Sequence, residues 1–377
     1  MYHVERTSDL SSLLAQADLW NDLACGIPFR ETSWIAAWWR QFGQGQEAYI
    51  LVARDQDNAV RGILPLYVRN QSGSSRTLAM IGDSIAYSDY VSVLARPDDG
   101  VEVAKSFGQF LANHIGSNDG WDMIDIDGVV EGDQPMTALM RELRDGGSMV
   151  HAHSRMNTWF RPREANWDDH LKRFSKTQRR KMRRWSEKVG TVAGLEKHLP
   201  ESIDEALSSL DALIDLHQRR WNSVGEAGSY ASAAFREFIV DCTTDFCSRG
   251  RLHLPTLTFQ GRPVSSELHF VGGNRRLYCY SSGYDIQQTE LEPGRILTVE
   301  TLHDLYRLDF DGIDYLRGDE PYKKRMSAAP TRVLRVLATA PSLLPRLRHA
   351  AWWTGFEMKQ WMRRRTGRKL VEVVDLA

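Results

Sequence analysis

Two short segments of the C-terminal half combine residue types that could bind an anion and stabilise a developing negative charge. The first, Glu292-Pro293-Gly294-Arg295, lies between a predicted strand and a predicted helix. A helix that begins there would point backbone N–H groups and the positive end of its dipole at a ligand, which suits a pyrophosphate. Proline is also common as the first residue of a helix that binds nothing, so the loop alone leaves both functions open.

The second segment, Tyr322-Lys323, places a phenol beside a cation. A lysine ammonium next to a reacting carbonyl could stabilise the oxyanion that forms during attack, an effect of about 3 kcal/mol per donor. The tyrosine could act as a general acid for the leaving group. The alternatives are that Lys323 belongs to a solvated basic run ending at Arg325, and that Tyr322 is a half-buried aromatic residue.

A general base is predicted at Glu267, which lies in an otherwise apolar strand together with His269. Alternate residues of a strand face the same way, so the two side chains share one face. Burial in such a strand is expected to raise the pKa of the carboxyl group. An arginine partner for Glu267 is the alternative. Asp314 and Asp319 are further candidates, although carboxylates at strand ends and turns also serve as caps.

The hydrophobic periodicity of the C-terminal half predicts the order β-α-α-β-β-β-α-β. Apolar residues recur at helical spacing in 201–221 and 230–248. Tight turns at Gln260-Gly261 and at 272–274 separate three strands that are expected to form an antiparallel meander. The predicted strands of this half are 190–199, 251–259, 263–271, 276–283 and 312–316, and a third helix is predicted over 295–308.

The N-terminal half independently predicts nearly the same order of elements, which indicates an internal duplication. Gly120-Trp121-Asp122 opens the late strand of this half, as Gly312-Ile313-Asp314 opens that of the other. The segment 96–100 before its last helix contains no Pro-Gly loop, so a single anion site is expected in the chain. The predicted strands are 2–6, 48–54, 60–68, 76–81 and 121–126, and the predicted helices are 11–25, 33–42 and 101–115.

The composition indicates an ordinary globular protein. Its 377 residues are too many for one domain core and suit two, and 42% of them are hydrophobic. The sequence does not begin with a secretory signal pattern and contains no run of about 18 apolar residues, so a cytoplasmic, non-spanning protein is expected. Four scattered cysteines argue against a disulfide framework, and a net charge of −1 argues against general nucleic-acid binding.

Basic residues nevertheless cluster in two segments. From Leu171 to Lys188 there are nine Lys or Arg and one acidic residue, and from 331 to 377 there are ten and three. The first segment predicts a basic helix that could contact phosphates, with a solvated connector as the alternative. The second predicts amphipathic helices interrupted by Pro341 and Pro345, with tryptophans on one side and arginines on the other. Such a tail is typical of peripheral membrane proteins, although it could also dock on the protein's own surface.

Four motifs of the C-terminal half point together to a family. They are His217-Gln218-Arg219-Arg220-Trp221, Gly283-Tyr284-Asp285, Glu292-Pro293-Gly294, and the run from Asp314 to Lys323. In these motifs the sequence resembles the CelD-like GNAT acetyltransferases, relatives of the Fem peptidoglycan aminoacyltransferases. The resemblance extends over about 34–325 and implies an α/β (α+β) fold of two tandem GNAT-like domains with mixed, mainly antiparallel sheets.

The resemblance also implies a reaction. An acyl group, expected to be acetyl, would pass from acyl-CoA to an amine or hydroxyl group of a saccharide or envelope-related acceptor. Coenzyme A would enter between two neighbouring strands beside the donor loop, and Lys323 would polarise the carbonyl, as the lysine of a similar Tyr-Lys motif is thought to do in Fem-like enzymes. The expected divisions are 1–165 and 190–330 for the GNAT-like domains, 166–189 for the connecting helix, and 331–377 for the helical tail.

Ligand-binding residues follow from the same resemblance. The acyl-CoA donor is expected at Pro293, Gly294, Arg295 and Ile296. The loop 82–90 resembles a family loop after a strand and could line an acceptor cleft, with simple packing of its tyrosines as the alternative. The residues expected to contact substrate are Tyr87, Asp89, Tyr90, Trp221, Tyr284 and Asp319.

Alternative functions remain open at this point. Within the same fold the donor could be an aminoacyl-tRNA bound along the basic helix, the one circumstance in which a nucleic-acid partner is expected. A non-catalytic protein that recognises a polysaccharide or lipid assembly is the other alternative, and either protein could work at the inner face of the cell membrane. No metal site is expected, because His151 and His153 share a strand face without a cysteine or acidic residue nearby.

Overall fold

A computed structural model describes residues 2–69, 75–117, 120–366 and 371–374. The strands are β1 (His3–Thr7), β2 (Glu47–Arg54), β3 (Val60–Arg69), β4 (Thr77–Met80), β5 (Leu94–Ala95), β6 (Met123–Val130), β7 (Met149–Pro162), β8 (Leu195–His198), β9 (Leu252–His253), β10 (Thr256–Phe259), β11 (Arg262–Val271), β12 (Arg276–Tyr284), β13 (Gly312–Asp314), β14 (Ala329–Thr339) and β15 (Glu372–Val374). The helices are α1 (Leu10–Leu14), α2 (Ala17–Leu23), α3 (Thr32–Phe42), α4 (Gly100–Asn113), α5 (Gln134–Asp145), α6 (Trp167–Lys172), α7 (Lys176–Thr191), α8 (Ile203–Ser223), α9 (Ala233–Ser248), α10 (Pro293–Arg307), α11 (Pro321–Arg325) and α12 (Leu343–Arg365).

The chain forms two compact units. Unit 1 contains residues 1–39, 43–157 and 331–377, and unit 2 contains 40–42 and 158–330. The division falls within β7, at Asn157 and Thr158, and not at the expected boundary near residue 165. The tail from Thr331 onwards therefore groups with the N-terminal part of the chain.

The sheet of unit 1 has the order β1-β2-β3-β4-β6-β14-β7, with β5 beside β3 and β15 beside β7. Helices α4 and α5 cover its buried face, where Phe107 and Leu139 are fully enclosed. An Asp133 side chain caps α5 by accepting a hydrogen bond from the Met136 N–H, which explains why the helix begins there. Burial of these apolar side chains is the main stabilising term of the unit.

Unit 2 has the strand order β13-β12-β11-β10-β8, with β9 beside β11 and the end of β7 beside β13. Its core lies where α10 packs with the sheet and with α7, around the buried residues Ile296, Leu302 and Trp185. Helices α8 and α9 begin at serine caps, because Ser202 and Ser232 each accept a hydrogen bond from a backbone N–H of the first turn.

The tandem mixed α/β fold is confirmed, and both units follow the predicted order β-α-α-β-β-β-α-β with three differences. The predicted helix 11–25 is divided into α1 and α2, the predicted strand 251–259 is divided into β9 and β10, and unit 1 contains the additional strand β5. In each unit the third strand of the meander pairs in parallel with the strand after the long helix. Thr77 of β4 lies opposite Met123 of β6, and Arg276 of β12 lies opposite Gly312 of β13. The remaining neighbours in the meanders are antiparallel, as expected.

The tail differs from its prediction. Helices were expected from Thr331 onwards, but residues 329–339 form β14, which pairs with β6 from Val333 to Thr339. The reason is burial, because the side chains of Val336 and Ala338 are completely buried in the apolar core of unit 1. Helix α12 then begins at Leu343 and continues through Pro345, whose missing N–H costs nothing in the first turn of a helix.

Burial of His170 generates a prediction about stability. The ring is fully enclosed against Trp167, neither ring nitrogen has a hydrogen-bond partner among the described residues, and burial lowers the pKa of His170 to about 3. The unfolded chain binds a proton below about pH 6.5 and the native state does not, so native stability falls as the pH drops from 6.5. At pH 5 this loss is about 2 kcal/mol.

We therefore expect His170→Phe to stabilise the protein relative to the wild type, and to do so more at pH 5 than at pH 7.5. Urea unfolding at both pH values measures the difference. His3→Phe, at an exposed histidine, is the control and should show no such pH-dependent gain. A His170→Phe gain that is the same at both pH values would contradict the assignment.

Candidate active site

A gap in strand pairing opens at the predicted donor site of unit 2. Strands β12 and β13 are paired through three residue pairs, the last of which joins Tyr278 to Asp314. Strand β12 continues to Tyr284, whereas β13 ends and the chain turns away through Leu316, whose φ of 54° lies in the left-handed region. The two strands therefore part at the place where the resemblance predicts entry of coenzyme A.

The start of α10 faces this gap. Pro293 is the first helical residue, and Glu292 before it adopts a left-handed conformation with φ 60°. A Cβ atom added to Gly294 would lie 3.3 Å from the Tyr284 ring, so the glycine lets the helix approach the end of β12 closely. The Arg295 side chain is 58% exposed, and Ile296 is buried in the core. Of the four predicted donor residues, Ile296 thus anchors the helix.

The basic helix α7 holds the loop before α10. Arg184 and the indole N–H of Trp185 donate to one carboxylate oxygen of Glu292, at 2.7 and 2.8 Å, and Lys188 donates to the Leu291 carbonyl at 2.8 Å. Arg295 also pairs with Glu292 and stacks over Trp185. Burial opposes ionisation of Glu292, but the Trp185 hydrogen bond and the two arginines lower its pKa. The loop is therefore rigidly placed and surrounded by cations.

Glu267 lies beneath the first turns of α10 and is 8% exposed. The hydroxyl groups of Thr298 and Thr301 donate to its two carboxylate oxygens, at 2.8 and 2.9 Å, and the Nε2 atom of His269 lies 3.4 Å away. Burial alone would raise the pKa, but His269 and the two threonines lower it. The expectation of a raised pKa is wrong, because the two threonine hydroxyl groups and His269 favour the carboxylate. Its recorded partners include no arginine.

Lys323 is buried, with 2% of its side chain exposed, and does not belong to a solvated run. Its ammonium group donates to the carbonyl groups of Leu316, Arg317 and Gly318 at 2.8–3.2 Å, and lies 2.9 Å from a Glu320 carboxylate oxygen. Lys323 thereby holds the turn by which the chain leaves β13. All three ammonium protons have partners within the protein.

Tyr322 combines partial exposure with an enclosed environment. The residue is 38% exposed, and its ring meets the Tyr315 ring edge-on at 5.9 Å. Desolvation nevertheless raises the pKa of the Tyr322 hydroxyl, so the group remains protonated at neutral pH. A protonated phenol beside the strand gap can donate a proton or a hydrogen bond.

Two predicted substrate contacts, Trp221 and Tyr284, lie on either side of one arginine. The guanidinium group of Arg220 is 5.4 Å from the Trp221 ring centre and 5.3 Å from that of Tyr284. The Trp221 indole donates to His217 at 2.9 Å, and burial lowers the pKa of His217 to about 4, so this histidine accepts as the neutral form. The end of α8 and the end of β12 thus form one aromatic wall.

The remaining predicted contacts are placed differently. Asp319 is exposed in the turn held by Lys323. In unit 1, Tyr87 is 52% exposed with φ 49°, whereas Asp89 is completely buried. Tyr87 and Asp89 therefore do not present their side chains to solvent together, and a role in acceptor binding stays a prediction.

Several residues that shape the site were not identified from the sequence. Arg184, Trp185 and Lys188 belong to the predicted basic helix, so a signal for them existed, although nothing in the sequence indicated that they bind Leu291 and Glu292 of the donor loop. His253 and Asp304, which continue the contacts of Glu267 and His269, had no local signal. Among the residues that the structure describes, no group of three His, Cys, Asp or Glu side chains could hold a metal ion.

Comparison with known proteins identifies a family over the part of the chain that contains this site. Residues 175–324 match the family model described as "Acetyltransferase (GNAT) domain", which includes the donor loop, Glu267 and Lys323. No curated protein matches the chain. The GNAT part of the resemblance is confirmed by the family match.

Solved structures show the same fold at low sequence identity. The crystal structure of FemX aligns with a TM-score of 0.62 at 12% identity, covering 92% of this chain and 99% of FemX. A conserved protein of unknown function from Bacteroides thetaiotaomicron aligns with a TM-score of 0.53 at 12% identity, covering 90% of this chain and all of that one.

A third structure is the C-terminal domain (DUF2156) of a putative lysylphosphatidylglycerol synthetase from Agrobacterium fabrum. It aligns with a TM-score of 0.51 at 11% identity, covering 86% of this chain and 92% of that one. These likenesses concern the fold. Residues 175–324 match a GNAT acetyltransferase domain, and this match supports an acyltransferase.

Proposed function

We propose that the protein transfers an acetyl group from acetyl-CoA to an amine or hydroxyl group of a saccharide or envelope-related acceptor, as CelD-like acetyltransferases would. The observation that carries the proposal is the parting of β12 and β13 beside the start of α10. A GNAT domain implies an acyl-CoA donor in general, and the acetyl group and the acceptor class rest on the resemblance of the motifs.

The residues around the donor loop suit the diphosphate of coenzyme A. Arg184 and Arg295 are each 58% exposed, so both can turn a guanidinium group towards a ligand while Glu292 keeps them near the helix start. The positive end of the α10 dipole adds to their charge. When bound there, an acyl-CoA would supply an activated thioester.

We expect no second donor site among the described residues of unit 1. Its helix α4 begins at Gly100 directly after Asp98 and Asp99, whose carboxylates would repel a pyrophosphate. Arg69, the last residue of β3, pairs with Asp83 and Asp125 at 2.7 and 2.8 Å. Asp125 directly follows Ile124, which forms the last residue pair between β4 and β6.

The site residues divide the chemistry as follows. Glu267 accepts the proton of the acceptor, because it is ionised and lies beneath the start of α10. Tyr322 remains protonated and supplies a proton to the leaving thiolate. Lys323 keeps the predicted role of polarising the carbonyl, which requires that its ammonium group give up one of three carbonyl partners. Each role concerns a proton or hydrogen bond at a defined atom.

A second candidate donor is an aminoacyl-tRNA. The observation that favours it is the exposed basic surface of α7, where Lys176, Arg180 and Arg183 lie away from the core. These side chains could contact a nucleic-acid backbone. The fold shared with FemX is compatible with either donor.

We also propose that the protein works at the inner face of the cell membrane through α12. One face of this helix docks on β7 in unit 1, where His151 stacks with His349 and Trp353, and His153 contacts Phe356. Trp353 and Phe356 thus face the protein, contrary to a simple division into a tryptophan side and an arginine side. No described helix is long and apolar enough to span a membrane.

The opposite face of α12 is an apolar stripe that faces solvent. Its side chains are between 47% and 75% exposed, and the helical spacing of 3.6 residues aligns them. Exposed basic residues flank the stripe, while Glu357 is the one acidic residue of the helix. This combination of insertion surface and flanking cations suits an anionic bilayer. The stripe consists of Leu343, Leu344, Leu347, Met358, Trp361 and Met362, and the flanking residues are Arg346, Arg348, Lys359, Arg363 and Arg364.

Titration with coenzyme A tests the donor assignment. We expect one molecule of coenzyme A per chain in isothermal titration calorimetry, and about a tenfold weaker affinity for Arg184→Gln because one guanidinium contact is worth about 1.4 kcal/mol. Lys181→Gln, on the exposed side of the same helix, is the control and should bind like the wild type. Two sites per chain, or no binding at millimolar coenzyme A, would refute the assignment.

Replacement of Lys323 tests how much the turn after β13 depends on its ammonium group. Lys323→Met leaves three carbonyl groups without their donor, so we expect the free energy of unfolding to fall by about 3 kcal/mol. Lys324→Met, at the exposed neighbour, should change it by less than about 0.5 kcal/mol. Urea unfolding of both variants measures the effect. Equal stabilities would show that the carbonyl contacts of Lys323 do not support the turn.

Vesicle co-sedimentation tests the membrane surface. The full chain should bind vesicles containing phosphatidylglycerol and bind pure phosphatidylcholine vesicles more weakly. Leu347→Glu combined with Met358→Glu should weaken binding at least about tenfold, since two charges would enter the interface. Val224→Glu combined with Leu308→Glu changes two apolar residues of similar exposure outside α12 and is the control. If both double variants bind equally, α12 is not the membrane surface.

A further inference from the structure

Behind Glu267 lies a buried row of ionisable side chains that the proposed reaction does not yet use. His253 of β9 and His269 of β11 are direct cross-strand partners, and their Nδ1 atoms are 2.9 Å apart. The outer nitrogen of each ring meets a carboxylate. His269 Nε2 lies 3.4 Å from Glu267, and His253 Nε2 lies 3.0 Å from Asp304. The four residues are between 1% and 8% exposed. The side chain of Glu267 is the most accessible of them, at 11%.

One helix holds both ends of this row. Thr298 and Thr301 of α10 donate to Glu267, and Asp304 follows them at the same spacing of three residues. Lys197 of β8 donates to both oxygens of Asp304 at 2.7 Å, which fixes that carboxylate in place. Arg307, whose side chain is 57% exposed, reaches the same carboxylate at 3.5 Å and connects this end to the surface.

The contacts in the row require a definite number of protons. Three contacts join the four groups, and each needs one proton between its two atoms, because two lone pairs or two anionic atoms would repel each other. A neutral imidazole carries one ring proton, so two neutral histidines supply two. The row therefore needs one proton more than the neutral histidines carry.

The surroundings indicate where this additional proton lies. Burial opposes ionisation of Asp304, but the hydrogen bond from His253 and the charge of Lys197 lower its pKa, and the pKa of Glu267 is also lowered. Burial lowers the pKa of His253 to about 4. With both carboxylates ionised and His253 neutral, His269 is the remaining position, between Glu267 on one side and His253 on the other.

We propose that Asp304, His253 and His269 are positioning residues that keep one shared proton behind Glu267 and move it towards Asp304 when Glu267 takes up the proton of the acceptor. The proposal rests on the proposed function, because it assumes that Glu267 is the base. It extends the site from the Glu267 carboxylate to the whole row, which ends where Lys197 binds Asp304. The shift keeps the charge around Glu267 nearly constant during the reaction.

The movement conserves protons at every step. The bond between the acceptor atom and its proton breaks, and an O–H bond forms on Glu267. At the same time the His269 Nδ1–H bond breaks and a His253 Nδ1–H bond forms, while the His253 Nε2–H bond breaks and an O–H bond forms on Asp304. His269 then keeps its Nε2 proton as a neutral ring. All three changes reverse when Glu267 releases its proton to solvent, from which the Tyr322 phenolate regains the proton that it gave to the thiolate.

Counting the protons on the four side chains in the resting protein tests the proposal directly. Long-range proton–nitrogen NMR of histidine-labelled protein reports the protonation of each ring nitrogen, and carbon-labelled Glu and Asp report the two carboxyl groups. Asn substitutions at 253 and 269 assign the signals. We expect three protons on the four groups. Two protons would overturn the proposal, whether or not the protein transfers acyl groups.

Kinetics of positioning variants supply a second readout. We expect Asp304→Asn and His253→Asn to lower kcat at least about tenfold, with the affinity for coenzyme A within about twofold of the wild type. Release of free thiol from acetyl-CoA with glucosamine as the probe acceptor measures kcat, and calorimetry measures the affinity. His170→Phe replaces a buried histidine outside the chain and should keep the wild-type kcat.

The proton count and the kinetics distinguish a failure of the shared-proton proposal from a failure of the proposed function. If the positioning variants keep wild-type kcat while Glu267→Gln abolishes turnover, the proposal of a shared proton is overturned and the proposed function stands. If the wild type transfers no acetyl group, the proposed function fails in this assay. The proton count alone then decides whether the row holds the additional proton. Restoration of part of the kcat in His253→Gln, whose amide nitrogen can replace a hydrogen bond but cannot pass a proton, would also count against a shared proton.

Discussion

The parting of β12 from β13 after Tyr278 is the constraint on which the rest of unit 2 depends. Strands that separate leave backbone groups without ladder partners, and the surrounding chain must hold both edges in place. Lys323 holds the edge that leaves β13 by binding three carbonyl groups of the following turn. Glu292, bound by Arg184 and Trp185, holds the start of α10 at the other edge. Two buried or half-buried charges thus maintain one opening.

The charges of unit 2 serve two different tasks according to their exposure. Arginines around the donor loop remain accessible, so water screens them and they can reorient towards an anion. The row from Glu267 to Asp304 is enclosed, where each hydrogen bond is stronger and an unpaired group is costly. Unit 1 repeats the fold and contains a different set of charges, in which Arg69 pairs with the buried carboxylates of Asp83 and Asp125.

Much of the fold could be predicted from the sequence because its elements depend on local periodicity. The order of strands and helices in both halves, and the position of the donor loop before α10, follow from such patterns. The contacts of Glu267 could be predicted only as far as His269, its neighbour on the same strand face. The continuation of the row from His269 to Asp304 could not be predicted, because it depends on which residue of β9 lies opposite His269. The orientation of α12 was also beyond reach, since both of its faces carry apolar side chains.

The return of β14 to unit 1 affects the order in which the protein can form during translation. This strand lies between β6 and β7 in the sheet order, yet it is synthesised after every residue of unit 2. Nearly all of unit 2 therefore emerges from the ribosome while the sheet of unit 1 still lacks an inner strand. The nascent N-terminal unit exposes the backbone edge of β6 throughout that interval, which makes it a natural client for chaperones. The C-terminal unit can mature first, and the N-terminal unit closes last.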